Sequence, residues 1–248
     1  LLKDYVPRGR MDVRMRLLPR GAIRADGTPL AGLQRLEGEF RPLGTACRYF
    51  RFPYQFENAT GLVRLAGGEL FLEDLQAWHS GAEIHALGRL NDAHSWTGLD
   101  LEFRGQNVAL DNDLYTALPA EYRELWDTAA PAGRCNVVAT VRRPEGSAEA
   151  GAQPSEVGVD AQLLGASLAL GDGRRLTQAD GNITIHGGVV TVDALHGYNG
   201  DASVQVEGVV AAGERAEETN LQVEVSAWPL THAAALGGGD SGEPLPVR

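Results

Sequence analysis

The sequence predicts a mainly β protein made of two tandem antiparallel repeat units, with short helices at the unit ends. Three observations predict it: an internal repeat, strands that alternate apolar and polar residues, and glycine pairs between those strands. The chain has 248 residues, 31 of them glycine, and 43% of its residues are apolar. That apolar fraction is enough for a core, and the glycines suit a protein with many turns.

The repeat is the first observation, since residues 61–90 recur as residues 181–210 at a constant offset of 120. Aliphatic residues replace aliphatic residues between the identities, as where Val63 becomes Ile183. A repeat carried by glycines and alternating aliphatic residues is a repeat of strands and turns. Such arrays usually build a surface or a conduit and not a single catalytic pocket. The identical positions are Gly61, Gly67, Gly68, Leu75, Ala82 and Gly88, matched by Gly181, Gly187, Gly188, Leu195, Ala202 and Gly208.

A second anchor extends the repeat over most of the chain. The motif Pro-x-Gly-Arg at residues 7–10 recurs at residues 131–134, an offset of 124, so the second copy is four residues shorter between the anchors. The difference falls between residues 19–35 and residues 143–156, which we predict to be loops, where a change of length costs little.

The repeat divides the chain into four parts. We assign residues 1–6 to the end of a preceding helix, residues 7–130 to unit one with its short helices, residues 131–236 to unit two, and residues 237–248 to a flexible tail or linker. The chain does not begin with Met, so we expect it to be a piece of a longer protein.

Period-two alternation is the second observation. It runs through residues 81–90, 98–105, 202–208 and 220–227, where aliphatic or aromatic residues alternate with charged or polar ones. This pattern predicts antiparallel strands in a sheet with one wet face and one dry face.

Turns and helices have separate signals. Gly67-Gly68 and Gly187-Gly188 each stand between two such strands and predict hairpin turns. A helical segment is predicted at about residues 112–128, where Asp111 caps the first turn and Pro119 opens the second. Shorter echoes of this segment lie at residues 1–6 and 231–236.

The dry face needs more cover than two short helices can supply. Either the sheet folds on itself as a sandwich, or its apolar face meets something outside the chain. Sheet packing by itself favours the sandwich, and both alternatives stay open at this point.

Charge and cysteine content exclude several classes of protein. The net charge is −11, with acids and bases dispersed, which argues against binding to nucleic acid or to an anionic membrane surface. No apolar run approaches membrane-spanning length. A Cys47–Cys135 disulfide is one option, but two free thiols are favoured because nothing in the spacing supports a pair. Cys135 stands where the other copy has Met11 and is predicted to fill apolar space.

Sequence motifs that suggest a catalytic or ligand-binding site are each incomplete or poorly placed. Residues 239–242 resemble a serine-protease nucleophile segment but lie in the predicted tail, and Gly171-Asp172-Gly173 lacks the third glycine of a phosphate loop. Asp111-Asn112-Asp113 lacks the Gly and Glu of a calcium loop, and helix capping explains Asp111. We therefore predict no enzyme, catalytic residue, cofactor or metal site. The six histidines show no ligand spacing, and we expect most to be exposed: His79, His85, His94, His186, His196 and His232.

The glycine spacing and the helix sequence together resemble the repeated β segment of AsmA-like envelope proteins, the group that includes the TamB and YhdP types. The most distinctive part is Ala117–Trp126, ALPAEYRELW, followed by the Pro131-x-Gly133 motif. The second copy departs from the pattern, since Arg174-Arg175-Leu176 replaces the Phe-Pro-Tyr element. The other matching segments are FPYQFENATG (residues 52–61), GG-x-L-x-L-x-x-L (residues 67–75), GAEI (residues 81–84) and VALD (residues 108–111).

The resemblance implies an elongated, twisted, gutter-like sheet with an apolar inner face. It also implies a periplasmic segment, anchored to the inner membrane by a part absent here, that carries phospholipid toward the outer membrane. The implied partners are phospholipid or another acyl lipid and neighbouring repeats of the same longer chain, with no nucleic acid. The alternative function is a structural or adhesive β repeat with a closed sandwich core and no ligand. The residues expected to contact lipid are Val63, Leu65, Leu70, Leu72, Ile84, Leu99, Leu101, Phe103, Ile183, Ile185, Val190, Val192, Val204, Val206, Leu221, Val223 and Val225.

Overall fold

The computed structural model confirms the predicted fold class. It describes residues 8–49, 52–92, 97–144, 156–170, 173–211 and 217–227. Strands make up 71% of the structure and form one open antiparallel sheet, which fits the predicted twisted gutter. The helical echoes predicted at residues 1–6 and 231–236, and the tail at 237–248, lie outside the described residues.

The two units follow one another along the chain. The strands of unit one are β1 (Met11–Leu17), β2 (Leu36–Pro42), β3 (Thr45–Tyr49), β4 (Phe52–Ala66), β5 (Glu69–His79), β6 (Ala82–Asp92) and β7 (Thr97–Ala109). Helices α1 (Asn112–Ala117) and α2 (Ala120–Ala129) come next. The strands of unit two are β8 (Ala132–Arg143), β9 (Glu156–Ala169), β10 (Arg175–His186), β11 (Val189–Asn199), β12 (Ala202–Ala211) and β13 (Asn220–Ser226).

Strands that follow one another in sequence are neighbours in the sheet. The order is β1-β2-β4-β5-β6-β7-β8-β9-β10-β11-β12-β13, with β3 beside β4. β3 pairs with the first half of β4 and β2 with the second half, so β2 and β3 act as one interrupted strand. β7 pairs with β8, which makes the sheet continuous across the boundary between the units. At about 4.8 Å between neighbours, the path along the sheet from β1 to β13 is about 50 Å.

The predicted repeat is present in the strand registers. Val63 faces Leu72 in unit one, and Ile183 faces Val192 in unit two, each shifted by 120. The same shift relates the other matching ladders, β5–β6 to β11–β12 and β6–β7 to β12–β13. The two units therefore share their strand pairing as well as their glycines.

The repeated glycines mark places where the strands bend. Gly61 and Gly181 have φ values of 110° and 153°, and each lies against a bulge in the neighbouring strand. The bulge residues Asp74 and Ala194 match as well, with φ values of 51° and 49°. A bulge adds a residue to one strand, bends it and increases its twist. Bulges in the middle of strands thus curve the sheet.

The predicted turns and short helices are found. Gly67-Gly68 and Gly187-Gly188 have positive φ at both positions, as hairpin turns between twisted strands require. The helical segment is broken into α1 and α2, because Pro119 offers no N–H and holds Leu118 in an extended conformation, with ψ of 145°. Within the described residues, neither helix is long and apolar enough to span a membrane.

Both cysteines are free thiols. Cys47 is half-buried and Cys135 is buried, and burial raises the pKa of Cys135 to about 11. The Cys135 side chain belongs to an apolar cluster that joins the two units and includes Val108, Leu163 and Ala166, so it fills apolar space as its place in the repeat predicted.

Candidate functional site

The predicted lipid-contacting residues lie on one face of the sheet. Residues directly opposite each other in a ladder point to the same side. Val63 faces Leu72, Leu72 faces Gly88, Gly88 faces Leu101, and Leu101 faces Val141 of unit two. The apolar face of unit one therefore continues into unit two.

The same pairing carries the face across unit two. Ala161 of β9 faces Ile183, Ile183 faces Val192, Val192 faces Gly208, and Gly208 faces Leu221. The remaining predicted residues lie two or four positions from these along the same strands, which returns them to the same side. They are Leu65, Leu70, Ile84, Leu99, Phe103, Ile185, Val190, Val204, Val206, Val223 and Val225.

Sequence reasoning missed the parts of this face that lie on β1, β2, β8 and β9. The ladders place these strands between or beside the predicted ones, with their apolar residues on the same side. The alternation of Val157, Val159, Ala161 and Leu163 was the available signal. The missed residues are Met11, Val13, Met15, Leu17, Phe40, Val137, Ala139, Val141, Val157, Val159, Ala161 and Leu163.

The opposite face is polar and carries ion pairs across neighbouring strands. Arg142 lies 3.4 Å from Asp100 and Arg16 lies 2.5 Å from Glu37. Exposed pairs of this kind contribute about 0–1 kcal/mol each, so they define the wet face more than they stabilise the fold. This face is therefore mainly polar, as the alternation predicted, although Leu87 lies on it opposite Glu102 and is 43% exposed.

The apolar face is partly covered and partly open. Its buried members form local clusters, such as Leu65 and Leu70 with Leu90. The face opens toward β13, where Val223 is 55% exposed. Six of the predicted residues are buried: Leu65, Leu70, Ile84, Val192, Val204 and Val206. Eight are half-buried: Val63, Leu72, Leu99, Leu101, Phe103, Ile183, Ile185 and Val190. Three are exposed: Leu221, Val223 and Val225.

Helix α1 supplies part of the cover in unit one. Ala117 of α1 is 2% exposed and packs with Tyr54 of β4 and Ile84 of β6. Leu114 of α1 joins the same cluster, together with the aromatic residue Phe56. The helix thus closes the side of the gutter where β4 begins and leaves the rest of the face to other contacts.

A polar cluster lies beside this helix and includes His79, one of the six histidines. His79 at the end of β5 is buried, and its ring centroid lies 3.9 Å from that of Tyr54. Its Nδ1 is 2.7 Å from the carbonyl oxygen of Gln55, and its Nε2 is 3.6 Å from Oδ2 of Asp113. Burial, followed by the charges of Asp111 and Asp113, raises the pKa of Tyr54 above its ordinary range.

Comparison with known proteins finds no matching family model, curated protein or solved structure. The resemblance to AsmA-like proteins thus rests on the glycine spacing and on the helix sequence. The argument for function rests on the continuous apolar face.

Proposed function

We propose that this chain is a non-enzymatic segment of an AsmA-like envelope protein and that it binds or conducts phospholipid acyl chains. The acyl chains lie along the apolar face of the sheet, in the periplasm between two membranes. The observation that supports the proposal is the continuity of that face, which ladder pairs carry through both units while part of it stays exposed.

The length of the gutter suits a lipid that slides along it. The hydrocarbon core of a bilayer is about 30 Å thick, so one acyl chain spans about 15 Å. A gutter of about 50 Å is about three acyl chains long, and no single position along it is distinguished. A lipid tail gains about 25 cal/mol for each Å² of apolar surface that it covers, wherever it lies. Such a surface needs no polar binding site for the tail.

The headgroup would stay at the rim. The wet face is lined with charged residues that already pair with each other, such as Arg64 with Glu73 at 2.8 Å. The overall charge of −11 offers no strong attraction for an anionic headgroup. Recognition would then come from the acyl chains, with little discrimination between headgroups.

The alternative function is a structural or adhesive repeat without a ligand. The six buried members of the face favour it, because they lie in three apolar clusters, as core residues do. In that case the half-buried residues would be covered by protein and never by lipid.

Replacement of Leu101 by Glu distinguishes the two functions. Leu101 is half-buried, so a carboxylate there can reach water while it makes an acyl path costly. We expect the Leu101→Glu protein to keep its β circular dichroism and to lose most of the phospholipid that mass spectrometry finds in extracts of the purified wild type. Val204 is 2% exposed, so Val204→Glu would unfold the protein under either function and decides nothing.

The matched control is Glu102→Gln, which lies next to Leu101 on the wet face and should leave the lipid content unchanged. If wild type carries no lipid, or if Leu101→Glu unfolds as a closed core would, the conduit proposal fails.

A further inference from the structure

The side chain of His79 is placed as a metal ligand would be. One ring nitrogen contacts a backbone carbonyl oxygen and the other faces carboxylates. A carbonyl oxygen only accepts hydrogen bonds, so Nδ1 of His79 carries the proton that it donates to Gln55. The lone pair of the neutral ring then lies on Nε2. That atom is buried and has no hydrogen-bond partner in the structure, and the side chain is 7% exposed. Metal-binding histidines commonly donate their other nitrogen to a carbonyl in this way.

The groups that face Nε2 are carboxylates. Oδ2 of Asp113 lies 3.6 Å away, and ligand atoms of His79, Asp111 and Asp113 all fall within 4.8 Å of one another. A lone pair and a carboxylate in this position repel each other unless a cation lies between them. Two ligands that bind one zinc ion at about 2.0–2.1 Å in tetrahedral geometry stand about 3.3 Å apart. The 3.6 Å between Nε2 of His79 and Oδ2 of Asp113 is close to that value.

We propose that His79, Asp111 and Asp113 bind one divalent transition-metal ion such as zinc. Oδ1 of Asp111 accepts hydrogen bonds from the backbone N–H groups of Asp113 and Leu114, which leaves its second oxygen for the metal. Three protein ligands leave a position for water. The ion would fasten α1 to β5 and hold the helix over the side of the gutter. Unit two has Asn199, Thr231 and Ala233 at the matching positions, so the site belongs to unit one alone.

Metal titration of the untagged protein tests this proposal. After treatment with a chelator, the wild type should bind one zinc ion per chain in equilibrium dialysis, and cobalt should give visible d–d absorption. The His79→Gln and Asp113→Asn variants should each bind at least tenfold more weakly. Asp113 is largely exposed, so its replacement leaves the fold intact, which circular dichroism checks.

His186→Gln is the matched control, because His186 lies 3.2 Å from Glu156 on the exposed face and should not affect binding. The proposal is overturned if the wild type shows no saturable binding. It is equally overturned if His79→Gln binds zinc as well as the wild type does.

A separate observation concerns the two outer edges of the sheet. β13 repeats β7, and β1 repeats β8, while β7 and β8 are paired. Among the described residues, β13 has β12 as its only neighbour strand and β1 pairs along its length with β2. The outer edge of β13 therefore corresponds to the edge of β7 that pairs with β8. The outer edge of β1 corresponds to the edge of β8 that pairs with β7.

The register of the β7–β8 pair can be transferred to these edges by subtracting the offset of 124 from residues of β8 and adding the offset of 120 to residues of β7. Leu101 opposite Val141 becomes Leu221 opposite Leu17, and Phe103 opposite Ala139 becomes Val223 opposite Met15. On the wet face, Arg104 opposite Val138 becomes Glu224 opposite Arg14. Apolar residues meet apolar residues, and opposite charges face each other.

The apolar residues of both edges are unusually exposed. Met15 and Leu17 are 53% and 66% exposed on β1, and Leu221 and Val223 are 42% and 55% exposed on β13. An exposed edge with apolar side chains is a template for pairing with another strand. Natural proteins protect such edges with charges that point inward, with proline or with a covering segment.

We propose that the β13 edge binds the β1 edge of a second copy of this chain in the transferred register. The contact joins two different surfaces and is therefore heterologous, and we expect it to produce linear arrays in which one sheet continues from copy to copy. Because the register keeps the apolar face on one side, the gutter would run on from one copy to the next. This inference does not depend on what the gutter binds.

Exchange of the facing charges tests the contact. We expect the wild type to associate with rising concentration in sedimentation velocity. Glu224→Arg and Arg14→Glu should each raise the midpoint concentration about threefold to tenfold, because like charges then stand opposite each other. The protein with both changes should return toward the wild-type midpoint.

Cysteine pairs check the register in a background where Cys47 and Cys135 are replaced by alanine. A Val223→Cys chain mixed with a Met15→Cys chain should form a disulfide-linked dimer, while mixing it with a Leu17→Cys chain should give much less. A wild type that stays monomeric, for instance because another segment of the chain covers β13, overturns the proposal. Single charge changes without effect also overturn it.

Discussion

At the scale of single residues, the sheet bends where glycine lets two backbones approach. A Cβ on Gly61 would overlap the carbonyl oxygen of Asp74 and lie 2.8 Å from Cα of Leu75. Gly208 has the same relation to Asn220 in unit two, where the Cβ would lie 3.0 Å from Cα of Leu221. The excluded space belongs to backbone atoms, so no change of side-chain rotamer can relieve the overlap.

We expect Gly61→Ala to lower the free energy of unfolding by about 2–4 kcal/mol, since it adds backbone overlap to an unfavourable positive φ. Gly67→Ala is the matched control, because Gly67 has φ of 63° but nothing within 4 Å of a Cβ. It should cost about 1 kcal/mol, for the backbone conformation alone. Urea unfolding measures both, and equal losses would show that the close approach does not matter.

Single residues also show how far the sequence could be interpreted. The match of Gly61 with Gly181 could be predicted from the constant offset, but the bulges that these glycines lie against were not predicted. The contact of His79 with Asp113 could not, because it depends on where β5 ends and on how α1 packs against β4. Neither residue has a partner of the same type in unit two, so the repeat gave no signal.

At the scale of elements, helix α1 depends on one capping residue. Asp111 accepts from the N–H of Asp113 at 3.1 Å and of Leu114 at 3.0 Å. The helix has only six residues, so it cannot persist without its cap and its packing on Tyr54.

In metal-free protein we expect Asp111→Ala to destabilise unit one by about 1 kcal/mol, because two N–H groups lose their acceptor. Asp111→Asn should cost much less, since asparagine caps helices about as well as aspartate does. Thermal unfolding in the presence of a chelator compares the two. Equal destabilisation by both variants would mean that the charge of Asp111, and not its cap, stabilises the helix.

Elements differ in how well the sequence predicted them. The hairpins at Gly67-Gly68 and Gly187-Gly188 were predicted because turn chemistry and alternation agree there. The division of one strand into β2 and β3 was not, since Leu43 and Gly44 interrupt it without a strong turn signal. The two short helical pieces were predicted as well, because the proline that starts α2 also ends α1.

At the scale of the whole molecule, the sheet is open, whereas the alternating strands had left both an open sheet and a closed sandwich as alternatives. Many one-sided strands need cover, and the structure gives them local clusters and one short helix. The apolar side chains that remain half-buried or exposed form a line across both units. The proposed acyl path consists of these side chains.

Site-specific photo-crosslinking in the intact protein tests the central claim most directly. Neighbouring residues of a strand point to opposite faces, so each inward position has its own control next to it. Crosslinkers at Phe103 and Val223 should capture phospholipid, which mass spectrometry identifies, while crosslinkers at Glu102 and Gln222 on the wet face should not. If the inward positions capture no lipid while the fold is normal, or if both faces capture it equally, the apolar face is not an acyl path.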